Sequence, residues 1–261
     1  MERITSRQNS VVAQYRAAAR GETGDVLLLD GAHLVNDALT ARIPLQHVMV
    51  AAESQESSDI QPLVARAVAQ QTIVAVASAK VMEAASPVRS TSPIIALANR
   101  NKLASNVFAA RPPFVLIACD VQDPGNLGAI TRVAEAAGAS GLIAAGQSAD
   151  PLSWKALRGS MGSALRLPIA SRETVDDAVA EARQHRCRIV ATVPRGGASL
   201  SASDLRAPVA ILIGGEGHGL PAGVIDAADV RVTIPMEPPV ESLNAAVTAA
   251  LVAYEARRQR G

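Results

Sequence analysis

This sequence is poor in most of the features that announce a function. It has two cysteines, four histidines and three lysines, and only 2% of its residues are aromatic. The longest apolar runs, such as Ala207 to Gly215, are strand-sized and fall well short of the roughly eighteen residues a membrane span needs. A soluble, cytoplasmic protein is therefore expected. Cys119 and Cys187 each sit in an apolar, strand-like run, which reads as two reduced buried thiols and not as a disulfide. Four scattered histidines (His33, His47, His185 and His218) cannot form a sequence-local ligand cluster, so no metal is expected. A G-x-S-x-G elbow, H-E-x-x-H, C-x-x-C and a Walker A loop are all absent. Hydrolase and metalloenzyme chemistry thus have no support. Nor is there an excess of charge: 25 basic residues stand against 24 acidic ones. That balance announces no nucleic-acid partner, yet excludes none, because electrostatic footprints are local.

What is present is an α/β pattern. The 261 residues are 49% hydrophobic, and alanine makes up about a fifth of them, a composition that favours well-packed helices. The Arg-rich start, MERITSRQNSVVAQYRAAAR, superficially resembles a transit peptide but lacks the apolar core of a secretory signal. It reads as an exposed first helix over 7–20. Strands follow near 26–30, 45–50, 72–76 and 93–98, with helices near 32–40, 59–70 and 78–84. Between Ala98 and Pro113 a polar stretch with two prolines breaks the pattern. This predicts a first domain over 1–105, a linker over 106–112 and a second domain over 113–261. The second alternates again: strand 114–119, helix 127–137, strand 140–145, helices 151–160 and 173–184, strands 187–193 and 208–213, helix 221–227, strand 230–234 and helix 243–259.

Three loops of the second domain lie between a strand and a helix, where α/β sheets usually bind ligands. In the first, Asp120 to Arg132, Asn126 is placed as helix N-cap, Leu127, Ile130 and Ala134 form a buried stripe, and Arg132 projects off it. A cap with a solvated arginine explains this pattern, and so does an anion site. In the second, Ile213 to Leu220, the residues Gly217, Gly219 and Ala222 satisfy a relaxed G-x-G-x-x-A fingerprint. Only 44 residues follow Gly217, too few for the βα units a dinucleotide fold requires. Glu216 reads either as an exposed turn residue or as an acceptor for a ribose or an arginine. In the third, Ile234 to Ala246, Ser242 is placed as N-cap of a last helix whose apolar face is Leu243, Val247, Leu251 and Tyr254, with Asn244 in its first turn.

Together DPGNLGAITR, IGGEGHGL and IPMEPPVESLNAAVTAAL resemble, in order and spacing, the three motifs of the SpoU family, the S-adenosylmethionine-dependent RNA ribose 2'-O-methyltransferases of the SPOUT superfamily. The segment Ser153 to Gly162, followed by Leu167-Pro168, is similar to the family's stretch between its first two motifs. Residues Ile4 to Ser6, Asn9 and Leu29 to Val35 resemble the L30e-like RNA-binding extension that many members carry. The resemblance implies an α/β trefoil-knot methyltransferase domain behind a smaller L30e-like α/β domain. It implies S-adenosylmethionine held by Thr192, Gly214, Gly215, Glu216, Ile234, Met236, Ser242 and Leu243. Asn126, Arg132, Glu216, Ser242 and Asn244 match catalytic or near-catalytic positions. It also implies a homodimer that places the arginine of one subunit near the cofactor of the other, and an RNA substrate, rRNA ahead of tRNA, gripped by Arg7, Arg16, Arg132 and Arg158. A non-catalytic RNA-binding protein of the same fold is the competing expectation. Family accounts give the arginine the role of base, but a guanidinium stays protonated in proteins. Arg132 is instead expected to hold a phosphate and stabilise developing alkoxide charge, with its geometry fixed by Glu216 and Asn126. Glu237-Pro-Pro239 departs from the family's usual small residue and glycine before Ser-Leu-Asn.

Overall fold

The computed structural model describes every residue except Arg89, Asn101, Lys102 and Ala104. The last three belong to the polar stretch read as a domain boundary, and that part of the expectation lies outside the described residues. The chain forms two compact units, one of Met1–Leu103 with Leu152–Arg166 and one of Ala104–Pro151 with Leu167–Gly261.

The first unit carries β1 (Glu2–Ile4), α1 (Ser10–Ala19), β2 (Val26–Asp30), α2 (Ala32–Thr40), β3 (Leu45–Ala51), α3 (Gln61–Ala69), β4 (Ile73–Ala77), α4 (Ala79–Ala85) and β5 (Ile94–Asn99). Its five-stranded sheet has the order β1-β4-β3-β5-β2. Pairing is parallel through β1, β4 and β3, and antiparallel where β5 meets β3 and β2. The helix expected over 7–20 begins only at Ser10, where the Asn9 side chain accepts from the Val11 amide at 2.8 Å. The residues before it form the edge strand β1, in which only Ile4 is buried.

The segment Leu152–Arg166 was expected within the second domain but packs with the first unit. Three features hold it there. Its helix sets Trp154 against the core of Val12, Tyr15 and Met82. Arg166 Nη1 donates to Asp37 Oδ2 at 2.8 Å, and Arg158 Nη1 lies 3.7 Å from Asp30 Oδ1, whose side chain is 1% exposed. A Cβ on Gly162 would fall 1.8 Å from Asp37 Oδ2, so only glycine fits that approach.

The second unit carries β6 (Phe114–Cys119), α5 (Pro124–Ala136), β7 (Gly141–Ala145), then, beyond α6 (Trp154–Ser160) in the docked segment, β8 (Ile169–Arg172), α7 (Val175–Gln184), β9 (Arg188–Thr192), β10 (Ala198–Ser199), β11 (Val209–Gly214), α8 (Ala222–Ala227), β12 (Val230–Thr233) and α9 (Ala245–Arg260). Its seven strands, all parallel, have the order β10-β12-β9-β11-β6-β7-β8. Both faces are covered, which is why β6 and β11 read as continuous apolar runs without alternation. Leu116, Ala118, Ile211 and Ile213 pack under α5 and α9, while Ile117, Cys119, Ala210 and Leu212 face the α7 and α8 side. Both cysteines are buried and free, and burial pushes the thiols up, Cys187 to about 11 and Cys119 further. With every strand parallel, the carboxyl ends of β9, β11, β6 and β12 share one edge of the sheet, and the three loops singled out above leave from that edge.

No described helix is long and apolar enough to cross a membrane, and no described group of His, Cys, Asp and Glu could hold a metal ion.

Candidate active site

The turn after β6 is strained and tied down. Asp120 has φ 56°, a left-handed conformation uncommon for a side-chain-bearing residue, and its Oδ1 accepts from the Gln147 amide at 2.7 Å. Opposite it, Gly215 follows the end of β11, where a Cβ would lie 2.0 Å from the Asp120 carbonyl oxygen. The chain then closes on itself through a bridge between Gly215 and Gly219, with Gly217 at φ 91° and Gly219 at φ 64°. The glycines of this loop therefore serve close backbone approach and a tight turn. That is the need they meet in phosphate loops too, which is why the fingerprint misleads.

The caps differ from expectation at two helices. The N-cap of α5 is Asp123, whose Oδ1 accepts from the Asn126 amide at 2.7 Å, and Pro124 occupies the first helical position. Asn126 is thereby freed from capping and sits in the first turn. At α9 the cap is Asn244 and not Ser242: its Oδ1 accepts from Ala246 N at 2.9 Å and Val247 N at 3.3 Å. The face that α9 buries is Ala245, Ala249, Val252, Ala253 and Ala256. The larger side chains expected to face the core, Val247, Leu251 and Tyr254, are 44–51% exposed. Small residues win the inner face because α5 and α9 pack closely there, leaving no room for leucine or tyrosine.

The two displaced amides and Glu216 meet. Asn244 Nδ2 donates to Asn126 Oδ1 at 3.1 Å, and Asn126 Nδ2 donates to Glu216 Oε1. The polarity of this chain has one solution. Capping commits the Asn244 oxygen, so its NH2 must point to Asn126. Asn126 accepts with its oxygen and turns its own NH2 to the carboxylate.

A cavity of about 550 Å³ opens beside this network, within the 300–1,000 Å³ range usual for small-molecule sites. Thr192, Gly214, Gly215, Glu216, Ile234, Met236, Ser242 and Leu243, the eight residues singled out for the cofactor, all line it, as does Asn244. Thr192 is anchored by donating from Oγ1 to the Leu212 carbonyl at 2.8 Å. The sequence reading missed the apolar wall of Val193, Leu220, Ile225 and Val232, together with His218 and Thr248. Leu220, Ile225 and Val232 read as ordinary core residues; the loop after β11, α8 and β12 respectively bring them to the cavity. Among the described lining residues Glu216 is the sole carboxylate, and none is lysine or arginine.

Asn126 and Arg132 do not line the cavity. Arg132 is exposed on α5, off the stripe of Leu127, Ile130 and Ala134. Glu216 and Asn126 bond each other, Asn126 being in the first turn of α5 and Arg132 nearly two turns further along. Arg7, Arg16 and Arg158 all belong to the first unit. Arg7 donates to the Lys80 carbonyl in the first turn of α4 at 3.0 Å, and Arg16 donates to the Ala84 carbonyl at 2.7 Å, satisfying a carbonyl of the last turn.

A parallel α/β sheet whose cofactor-sized cavity is built by successive loops at its carboxyl edge, with three polar side chains locked beside it, defines a small-molecule-dependent enzyme domain. Residues 113–254 match the SpoU rRNA Methylase family, and the chain belongs to that family. It is 33% identical to an uncharacterized tRNA/rRNA methyltransferase of Synechocystis sp. over 98% of this chain and 94% of the relative. It is 28% identical to the 23S rRNA (guanosine(2553)-2'-O)-methyltransferase RlmP of Bacillus subtilis, over 98% of this chain and all of the relative. The AdoMet-bound rRNA methyltransferase from Sinorhizobium meliloti has a similar structure, with a TM-score of 0.86, 28% identity and coverage of 98% of this chain and 97% of that one.

Proposed function

We propose that this protein is an S-adenosylmethionine-dependent RNA ribose 2'-O-methyltransferase that acts on rRNA, in the cytoplasm, as a homodimer. The observation that carries the reading is the chemistry of the cavity wall. Among the described residues no lysine or arginine lines the cavity to offset the charge of a phosphate-bearing cofactor. S-adenosylmethionine carries a sulfonium, an ammonium and one carboxylate, a net positive charge that suits a wall whose one carboxylate is Glu216. Its adenine fits the apolar side formed by Val193, Leu220, Ile225 and Val232, and Gly214 and Gly215 bring backbone groups close. Thr192, Ile234, Met236, Ser242 and Leu243 complete the holding set. When bound, the cofactor supplies a methyl group already activated by sulfonium, so the chain's task is alignment and proton management.

Arg132 stabilises charge developing on the ribose oxygen and holds the neighbouring phosphate, acting on the cavity of the partner subunit. Support for the dimer comes from α9, whose exposed Val247, Leu251 and Tyr254 recur at helical spacing with exposed Val240 before them, the kind of apolar stripe that marks an interface. In this reading the second unit follows the family's knotted path, and the first unit is an L30e-like module that presents Arg7, Arg16 and Arg158 to RNA. The relatives with assigned substrates favour rRNA over tRNA.

Calorimetric titration with S-adenosylmethionine, followed by methyl transfer to RNA and to a DNA oligonucleotide of the same sequence, tests the function. Uptake with RNA-only product is expected, since DNA lacks the acceptor hydroxyl. RNA binding without cofactor uptake would establish the non-catalytic alternative.

A further inference from the structure

We propose that the amino edge of the second unit's sheet, the edge opposite the cavity, is a docking surface for the phosphate backbone of RNA, built on Arg111, Arg186 and Arg188. The inference rests on the RNA methyltransferase reading above and adds a second contact for that substrate, remote from the reacting ribose.

Strand direction places the three cations together. Arg188 is the first residue of β9 and pairs with Val209, the first of β11, which pairs in turn with Phe114, the first of β6. Arg111 stands three residues before Phe114, and Arg186 two before Arg188, just beyond the end of α7. They share the edge where β9, β11 and β6 begin, roughly 10 Å across three strands. From Val209 to the cavity residue Gly214 the chain climbs β11 by roughly 17 Å, so the nucleotide that presents its ribose to the cavity does not reach this edge.

All three arginines are exposed, and none forms a hydrogen bond or ion pair through its side chain with another described residue. The carboxylates flanking them are matched by other arginines. Arg206 Nε donates to Asp204 at 2.9 Å and holds its carboxyl down to about 2, helped by the charge of Arg188, while Arg183 pairs with Asp229 at 3.2 Å. The end of α9 lies at the same edge, where Arg260 Nε donates to the Leu205 carbonyl at 2.9 Å and Arg258 pairs with Glu255. The near balance of 25 basic and 24 acidic residues thus conceals a basic edge.

Helix dipoles do not account for it. Arg186 follows the carboxyl end of α7, but Arg111 and Arg188 lie at strand ends, where the net dipole is small. Arg186 also has φ 59°, at a place after a helix that glycine ordinarily fills, so backbone preference does not explain an arginine there. Guanidinium groups with their donors unspent match phosphate oxygens, and a row across three strands suits an anion repeated along a chain better than one acidic side chain.

The test replaces the three together in the full chain, as Arg111→Gln, Arg186→Asn and Arg188→Gln, with asparagine chosen because it tolerates a positive φ. The probe is a structured rRNA fragment that the unaltered protein methylates. Its Kd should rise about tenfold at physiological salt, and the slope of log K against log salt should shrink by about 2–3, one phosphate contact per arginine. Methylation should show the loss in KM rather than in kcat. Thermal melting, and cofactor calorimetry without RNA, should match the unaltered protein, which separates a lost contact from a damaged fold. Should the triple variant melt lower, Arg111→Gln alone, expected to shrink the slope by about 1, carries the same test. Lysine at all three positions should restore the slope, since counterion release counts charge. A neutral variant with unchanged Kd and slope, or a lysine variant as weak as the neutral one, would overturn the proposal while the methyltransferase reading stands. No RNA binding by the unaltered protein would overturn both.

Discussion

Replacing Gly215 by alanine probes the point where the two central loops of the site depend on each other. The added Cβ would lie 2.0 Å from the Asp120 carbonyl oxygen, 2.6 Å from its carbon and 3.2 Å from the Val121 amide nitrogen. All three are backbone atoms, so no side chain can swing aside, and the loop must retreat by more than about 1 Å to reach ordinary contact distance. Asp120 cannot yield cheaply, because the Gln147 amide holds its side chain and its backbone is already in the left-handed region. Overpacking of this kind costs roughly 1–3 kcal/mol, or about 2–12 °C of melting temperature at roughly 2–4 °C per kcal/mol for a chain of this size. The second effect is functional. Glu216 is the next residue, and a displacement near 1 Å in a positioned group can cost roughly 10²-fold in rate. Thermal melting, cofactor calorimetry and single-turnover methylation together give the readout. Gly217→Ala is the internal comparison: its Cβ would meet nothing within 4 Å, and only the positive φ opposes it, at about 1 kcal/mol. If Gly215→Ala melts within 1 °C of the unaltered protein and methylates at full rate, the close packing of β6 and β11 at this edge is not what shapes the site.

Three further outcomes follow from single features. Asn244→Asp keeps the helix cap but cannot donate to Asn126, so stability should hold while kcat falls; Asn244→Ala should lose both, with a stability loss of about 0.5–2 kcal/mol by denaturant titration. The buried His47 imidazole, which meets the Tyr15 hydroxyl at 3.0 Å, has its pKa lowered by desolvation. Its neutral form is thus the one folding favours: that stability is fully present above the ordinary histidine value near 6.5 and is lost as pH falls toward the lowered folded value. Denaturant midpoints at pH 7.5 and 5 should show the loss, and His47→Gln should flatten it. Leu251→Glu, on the exposed stripe of α9, should turn a dimer into a monomer in light scattering at unchanged helicity; a persistent dimer would place the interface elsewhere.

Much of the fold was legible because burial on both faces of a parallel sheet leaves a strong local signal. The runs Phe114–Cys119 and Val209–Gly214 could be little else. The strands missed were those without that signal. Glu2–Ile4 buries one residue, Ile169–Arg172 lies at a sheet edge with Ser171 exposed, and Ala198–Ser199 is two residues long. The caps were misplaced for a related reason. Asp123 and Asn126, like Ser242 and Asn244, are all competent caps by type, and which one a helix uses depends on where the preceding strand delivers the chain. The candidate cavity residues were singled out through motif order. Their grouping in one cavity wall rests on the parallel register that brings Thr192, Gly214 and Ile234 to the same edge.

The sequence by itself determined the α/β class, the order of the three loops and the residue types that a methyl-transfer site needs, because apolar period and turn chemistry are local properties. Tertiary structure decided the rest. It set the Asn126 amide between Asn244 and Glu216, turned alanines inward and leucine outward on α9, and carried Leu152–Arg166 to the first unit. Each of these turns on contacts between residues far apart in the chain, such as Asn126 with Glu216 or Asp37 with Arg166. No local pattern encodes which distant partner a side chain will meet.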